Sequence, residues 1–554
     1  MQRIKKEFYK EEERRYRSAE STRDYFLRVS ENILRGELKG KILELNTECP
    51  GGYGYAMWAS EAIFSVLNYL MSTEPKDLLQ ILEGILEKLS PPSTNTQEKR
   101  YIKTVRKAIS RLIRGFQQIP QLTFSDQFRN FVKKLNQLLQ ENQLFNSLSR
   151  FAEHMIQISK GRKIIAVSSD PSLLNEDEET GALVKELVEK QATAEGKTLE
   201  DFILNLFMNP KNFSNCLIYR DFTMADLLDL IRNNKKIRNI FLKTGLNEDL
   251  ILFPKEETFN TLVSILNKIF QQYNIEIYNP LETWRYGERD WPYVVKIFPE
   301  DNPFVPQIIK GSEIKVENEK VYDLNNNPID LSKYVMKYLG SYGGRGVKLT
   351  PTIEDIKEAL ETGLSFVLEM KIHEKEAPKF PHPVFITPIP IKEDEYTFRE
   401  SRYYGEFTCD TRILFEVHEE DGRLSIKPLS ILLRQNYPNR PDNIGAGGGI
   451  MPVIIVPDGW YEENIESFYQ EYFKNLHEDL NIRTLFFWLL QHFFGKKVYE
   501  KDILLFPTPL ILPESFIKRV IDNLTPIVEK IYEDIGKKPF HLAFDMYLFT
   551  NPQN

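Results

Sequence analysis

The sequence predicts a mixed α/β fold, and three observations carry that expectation. Short apolar runs, Ile164-Ile165-Ala166-Val167 and Cys216-Leu217-Ile218-Tyr219, each lead through a polar turn into a helix-like stretch, the alternation of an open α/β layer. From about residue 290 the chain is strand-rich, at 293–298, 334–339, 366–371, 411–417 and 429–434. Helix-like apolar spacing fills residues 3–35 and about 55–160, as in Ile63, Val66, Leu67 and Leu70, with a polar break at Pro91-Pro92-Ser93.

Taken in order, residues 1–60 hold a helix and a strand at 41–47, and residues 61–160 a helical insertion. Residues 161–290 form the α/β layer, and residues 291–554 a strand-rich region. A mostly helical stretch at about 461–537 separates that region's strands from a last one at 541–548. The 554 residues exceed one ordinary core and suggest roughly two to four domains or one intertwined enzyme fold. An apolar share of 42% is enough to bury sizeable cores. Three widely spaced cysteines, Cys49, Cys216 and Cys409, point to a reducing compartment without a disulfide framework. Residues 1–17 mix Lys, Arg and Glu with no apolar run, so no secretory signal is read there, and the apolar run at 485–494 is too short to span a bilayer. The expectation is a cytoplasmic protein with no membrane partner, and the net charge of −8 gives no pull toward nucleic acid.

The chemistry-bearing residues begin at the two ends. In a strand at 41–47, Glu44 and Asn46 lie two apart and share a face, and Asp545 stands in the middle of the strand at 541–548. Two carboxylates and an amide oxygen are the hard ligands that Mg²⁺ takes beside nucleotide phosphates, although each piece alone also fits chance or the solvation of a sheet edge. Lys337 ends a strand and precedes Gly340-Ser341-Tyr342-Gly343-Gly344-Arg345-Gly346. A strand lysine suits phosphate, and Gly343, Gly344 and Gly346 suit a lid with free backbone N–H groups, or a plain hairpin turn. Gly196-Lys197-Thr198 is no phosphate loop, because Gln191 occupies the place of the first glycine. The apolar strand carrying Glu369, Met370 and Ile372 suits a hinge whose backbone pairs with an adenine edge. Asp410 and Arg412 alternate onto one face, Arg434 ends the following strand, and Asn443 opens a loop whose Gly447 and Gly448 expose N–H groups to an anion. The seven histidines are scattered without metal-ligand spacing and most read as surface or core residues, and Cys49, with no positioned histidine, reads as a small buried residue.

The order strand lysine, glycine lid, adenine hinge, Asp-x-Arg, Arg, Asn with glycines and terminal acid resembles the ATP-grasp ligases, and within them the glutathione synthetases. Placing the Glu-x-Asn segment near the start rather than after the acid resembles the circularly permuted members, eukaryotic glutathione synthetases and glutathionylspermidine synthetases. The resemblance implies a circularly permuted ATP-grasp fold with an added α/β substrate-binding layer and helical insertions. It implies an ADP-forming carboxylate–amine ligase using ATP and Mg²⁺ on small-molecule acid and amine substrates. Lys296 and Lys337 would hold phosphates, the backbone from Glu369 to Ile372 adenine, and Glu44, Asn46 and Asp545 the metal. Arg412, Arg434 and Asn443 would stabilise the acyl phosphate, with Asp410, Gly447, Gly448 and Arg220 of Tyr219-Arg220-Asp221 on substrate. Ser341 stands where eukaryotic glutathione synthetases place a metal-binding acid, and Asn436 where they carry a lysine. The acid and amine stay open between γ-glutamylcysteine with glycine and another peptide, amino acid or polyamine, as do a homodimer and a degenerate, non-catalytic scaffold. The helices at about 60–160 and 461–537 match no motif. The permuted arrangement requires the strands at 41–47 and 541–548 to be antiparallel neighbours.

Overall fold

The computed structural model describes residues 23–35, 41–72, 124–141, 147–252, 256–286, 307–338, 347–370, 379–381, 406–436, 449–476, 504–505 and 509–547, apart from residues 25, 177 and 365, with a few more between 77 and 113. Along the chain come β1 (Lys41–Asn46), α1 (Tyr53–Ser72), α2 (Asp126–Glu141), α3 (Ser147–Ser159), β2 (Lys163–Ser168), α4 (Glu179–Glu189), β3 (Ala194–Thr198), α5 (Leu199–Met208), β4 (Cys216–Asp221), α6 (Met224–Asn233), α7 (Lys235–Lys243), α8 (Glu256–Tyr273) and β5 (Glu276–Tyr278). Then come β6 (Ile308–Lys310), β7 (Ile314–Glu317), β8 (Lys320–Asp323), β9 (Tyr334–Tyr338), β10 (Val347–Lys348), α9 (Ile353–Thr362), β11 (Phe366–Met370) and β12 (Lys379–Pro381). The last are β13 (Glu406–Glu420), β14 (Arg423–Asn436), β15 (Gly449–Val456), α10 (Asp458–Leu476), β16 (Leu504–Leu505), β17 (Leu510–Pro513), α11 (Glu514–Asp534) and β18 (Phe540–Tyr547). No helix among the described residues is long and apolar enough to cross a membrane.

The class is mixed α/β. The largest sheet has the order β1-β18-β13-β14-β15-β16, with β12 on β13 and β17 on β15. β18 is antiparallel to both β1 and β13, so the two strands near the chain ends are neighbours inside one sheet. The long β13–β14 hairpin turns at Asp421-Gly422, whose φ angles of 53° and 74° are the left-handed pair that a two-residue primed turn demands. Only parts of both strands, 411–417 and 429–434, are legible as apolar runs, because their outer halves carry Glu, His and Lys.

A second sheet, β10-β9-β11-β6, is antiparallel throughout. A third, β3-β2-β4-β5, is parallel, and its period-two alternation builds two cores. Ile164, Ala166, Leu217 and Tyr219 pack into the core of the large sheet, whereas Ile165, Val167 and Ile218 pack with α5, α6 and α8 on the other side. Gly196-Lys197-Thr198 lies within strand β3.

The stretch at about 461–537 departs from its helical expectation. β16 and β17 separate α10 from α11, and both run parallel to β15, itself unanticipated because Pro452 interrupts its apolar run. α10 packs against α2 through Phe131–Trp460, Phe131–Phe468 and Phe128–Tyr472 ring contacts, which gives the motif-free helices a structural role. The strand expected at 293–298 lies outside the described residues, as do the chain before residue 23 and the Pro91-Pro92-Ser93 break.

Three of the histidines that look scattered in sequence meet in the interior. The His154 ring on α3 lies 4.4 Å from that of His418 on β13, tilted by 51°, and Tyr278 lies 5.6 Å from His154 and 5.5 Å from His541 on β18. Burial pushes His154 and His541 down to about 3, helped at His154 by the neighbouring histidines and at His541 by Arg220. Glu416, Arg150 and Lys427 stand around the cluster.

Two outcomes follow from this architecture. Deleting residues 540–554 removes a strand from between β1 and β13, so the truncated chain should lose cooperative unfolding and most of its soluble yield; a truncated protein with a sharp melt would contradict the sheet order. The second concerns acid. Between about pH 6.5 and 3 the unfolded chain binds protons on His154 and His541 that the folded chain does not, so their contribution is intact above pH 6.5 and lost as pH falls. At pH 5 the two cost roughly 4 kcal/mol together. Urea unfolding at pH 7.5, 6 and 5 should show this slope, and His154→Leu should reduce it by about half; identical slopes would place the acid sensitivity elsewhere.

Candidate functional site

The site is a row of charges across one face of the large sheet. Glu44 on β1 lies directly opposite Asp545 on β18, and Asp545 directly opposite Arg412 on β13. Paired residues in an antiparallel ladder share a face, so three side chains from segments some five hundred residues apart line up. Two residues along β13, Asp410 lies opposite Arg434 of β14 on that face. Asn46 adds its amide, with Nδ2 donating to Asp545 Oδ2 at 3.0 Å.

The charges pair closely. Arg412 grips Asp545 with Nε on Oδ1 and Nη2 on Oδ2, both at 2.6 Å, and its Nη1 donates to Gly51 O at 3.1 Å. Arg434 grips Asp410 in the same fork, at 2.8 and 2.6 Å, and its Nη2 lies 2.8 Å from Asp545 Oδ2. Asp545 therefore faces both arginines and Asp410 only one. Burial opposes ionisation at each, but the two guanidiniums outweigh it at Asp545 and hold that carboxyl low. At Asp410 burial wins over Arg434, and the adjacent Asp545 adds to it, pushing the group up to about 6.

This pairing bears on the expected roles. A carboxylate offers about two acceptor positions on each oxygen; Asn46, Arg412 and Arg434 crowd Oδ2 of Asp545, whereas Oδ1 accepts from Arg412 Nε alone, so Asp545 stands as the counter-ion of two arginines with one acceptor position left on Oδ1. Glu44 and the Asn46 carbonyl oxygen accept no hydrogen bond from the described residues, although Glu44 lies near enough to Arg434 to favour its charge. Among those residues no group of three or more His, Cys, Asp or Glu is arranged to hold a metal ion. Mg²⁺ held largely by phosphate needs only one or two protein carboxylates, so Glu44 with the Asn46 oxygen fits it directly and Asp545 could add only its Oδ1 in this arrangement. Arg412 and Arg434 each direct three of five N–H groups at protein acceptors; those of Arg412 are spread over all three nitrogens, while Arg434 keeps the whole of Nη1 without a partner among the described residues.

The turn after β1 is built around this face. Gly52 has φ 120°, and a Cβ there would meet Leu432 Cδ2 at 2.9 Å and Arg412 Cδ at 3.3 Å, so only glycine lets the turn lie on the sheet. The buried Glu179 carboxylate accepts from the N–H groups of Gly52, Gly54 and Tyr55 at 2.8, 2.7 and 3.1 Å, capping α1 from another helix. Sequence reading missed Glu179, since nothing local marks a cap supplied from 125 residues away.

The second sheet reaches the row through Lys337. Its Nζ donates to Glu369 Oε2 at 2.6 Å and to Leu43 O at 2.8 Å, the carbonyl freed where β1 bulges between Ile42 and Glu44. The structure thus brings Lys337 and Glu369 to the charged face, with Met370 exposed beside them on β11. Glu369 offers its side chain to Lys337 in addition to any backbone role. The segment holding Gly343, Gly344 and Gly346 connects β9 to its antiparallel partner β10. Lys296, Gly343, Gly344, Gly346, Ile372, Asn443, Gly447 and Gly448 lie outside the described residues.

Arg220 does not join the row. It is fully buried, with Nε on Asn279 O at 2.9 Å, Nη1 on Phe222 O at 3.1 Å and Nη2 on Thr283 Oγ1 at 2.8 Å, over the Trp284 ring. In this conformation its donors brace the α/β layer instead of facing a ligand. Cys49 is half-buried beside Arg220, and burial pushes its thiol up, which suits a packing residue.

Asp545→Asn keeps the shape but leaves two buried guanidiniums short of charge, and should cost roughly 3–5 kcal/mol in chemical unfolding; an unchanged midpoint would mean that Asp545 does not hold them. Comparison with known proteins assigns no family to this geometry: no protein-family model matches the chain, and no curated protein matches it.

Proposed function

We propose that the chain is an ATP-dependent ligase that joins a carboxylate to an amine, of the glutathione synthetase-like, circularly permuted ATP-grasp kind. The observation that carries the reading is the meeting of Glu44, Asn46, Asp545, Arg412 and Arg434 on one sheet face with Lys337 from a second sheet. Those residues belong to the ordered series that resembles the ATP-grasp ligases, and no local pattern requires them to be neighbours.

Each residue then has a task set by its surroundings. Lys337 would exchange its contact with Glu369 or Leu43 O for a phosphate oxygen, keeping one charge on the transferring group. Bound Mg²⁺ supplies charge neutralisation of the phosphates. Glu44 and the Asn46 oxygen would hold it. Arg434 would offer its unfilled Nη1 edge to the acid substrate and then to the acyl phosphate formed as the γ-phosphoryl moves to the carboxylate oxygen and ADP leaves. Attack of the amine on the acyl carbon forms the C–N bond, expels phosphate and releases a proton. Asp545 and Arg412 would keep Arg434 in place.

The engagement of Asp545 by two arginines favours a second reading, a nucleotide-binding scaffold without turnover. One experiment separates the two. Phosphate release with Mg·ATP should be measured across paired acids and amines: γ-glutamylcysteine with glycine, other dipeptides and amino acids, and polyamines. The ligase reading expects turnover with one pair and a loss on the order of 10²-fold or more in Glu44→Gln, with the melt unchanged. ATP binding without turnover on any pair supports the scaffold, and release of AMP and pyrophosphate points to adenylate chemistry.

A further inference from the structure

The α/β layer holds the two terminal strands through one side chain that the ligase reading does not use. Asn279, in the turn after β5, is fully buried with φ 56°, a left-handed conformation in which asparagine is at ease. Its Nδ2 lies 3.0 Å from Thr47 O, 3.2 Å from Glu48 O and 3.1 Å from His541 O, while its Oδ1 accepts from His541 N at 2.9 Å. Thr47 follows Asn46 directly at the end of β1, and His541 stands four residues before Asp545 on β18. One amide therefore ties the exit of β1 to the entry of β18.

The tie is braced from behind. Asn279 O accepts from Arg220 Nε, Arg220 Nη2 donates to Thr283 Oγ1, and Thr283 O accepts from Thr47 Oγ1 at 2.8 Å. Aspartate would fit the space but set a carboxylate against three carbonyls. Glycine would accept the backbone conformation but leave those carbonyls and one N–H without their partner.

We propose that Asn279 is a positioning residue which, braced by Arg220, fixes where Asn46 and Asp545 stand relative to one another and so sets the geometry of the charged row from the α/β layer. Its effect on turnover rests on the proposed ligase function, while its effect on the strands does not.

The test compares wild type, Asn279→Gly, Asn279→Asp and Thr47→Val by hydrogen exchange of the full-length chain and by Mg-dependent phosphate release. In Asn279→Gly the amides of residues 41–48 and 540–547 should exchange roughly tenfold faster or more. Those of β2 and β4 should be unchanged. kcat should fall by about tenfold, with KM for ATP within about twofold. Thr47→Val, nearly isosteric, removes only the brace to Thr283 O and should move the same amides in the same direction by a smaller factor, while Asn279→Asp, which keeps the size but loses the Nδ2 donors, takes the same measurements and decides the question if the glycine variant does not fold. Unchanged exchange of both strands in a folded variant would overturn the clamp. Faster exchange with unchanged kcat would overturn the positioning role. A wild type that turns over no acid–amine pair would defeat the ligase reading, and the exchange data would still judge the clamp.

Discussion

The antiparallel pairing of residues 41–46 with residues 540–547 is the constraint on which the rest of the structure depends. It closes the large sheet with a strand drawn from each end of the described chain, and its register sets Glu44 opposite Asp545. Because β18 also pairs with β13, the same strand carries Asp545 to Arg412 and, through that arginine's neighbours, to the Asp410–Arg434 pair. A slip of one residue would turn Asp545 to the opposite face, where Phe544 now packs, and dissolve the row. Stability alone is a weak reason to bury two arginines with two aspartates, since apolar residues in such places often serve as well or better. The proposed ligase chemistry at that face would supply a better one.

The second element of the site comes from a different core. β9 and β11 belong to the small sheet, whose buried cluster of Ile314, Met336, Ile356 and Leu368 is separate from that of the large sheet. Lys337 bridges the two through the carbonyl that the β1 bulge turns outward. An interface carried by an ionic and hydrogen-bonded side chain can open and re-form at little packing cost, as the proposed nucleotide site would require. The proposed clamp at Asn279 ties the α/β layer to the same strand pair, so the three larger sheets meet at β1.

Much of this was legible in the sequence, and what was not has identifiable causes. The strands at 164–167, 216–219, 334–339 and 366–371 were readable because their apolar runs are short and end in turn residues. The pairing of β1 with β18 followed from motif order rather than from any local signal. Asp421-Gly422, a strong hairpin mark between the visible parts of β13 and β14, was overlooked because charged residues flank it. β16 and β17 were hidden in a stretch dominated by helical periodicity. The site residues were named, but not their partners: that Arg412 and Arg434 both pair with Asp545, and that Arg220 turns into the α/β layer, depends on distances only the folded chain sets. The meeting of His154, His418 and His541 was invisible for the same reason, since they come from α3, β13 and β18.

The most direct test of the central claim is calorimetric titration of the full-length protein with a non-hydrolysable ATP analogue, with and without Mg²⁺. The account predicts saturable binding of one analogue per chain that requires Mg²⁺ and weakens on the order of tenfold or more in Lys337→Met, which removes the charge but keeps the stem. Absence of binding, or binding indifferent both to Mg²⁺ and to Lys337, would contradict a nucleotide site between the two sheets.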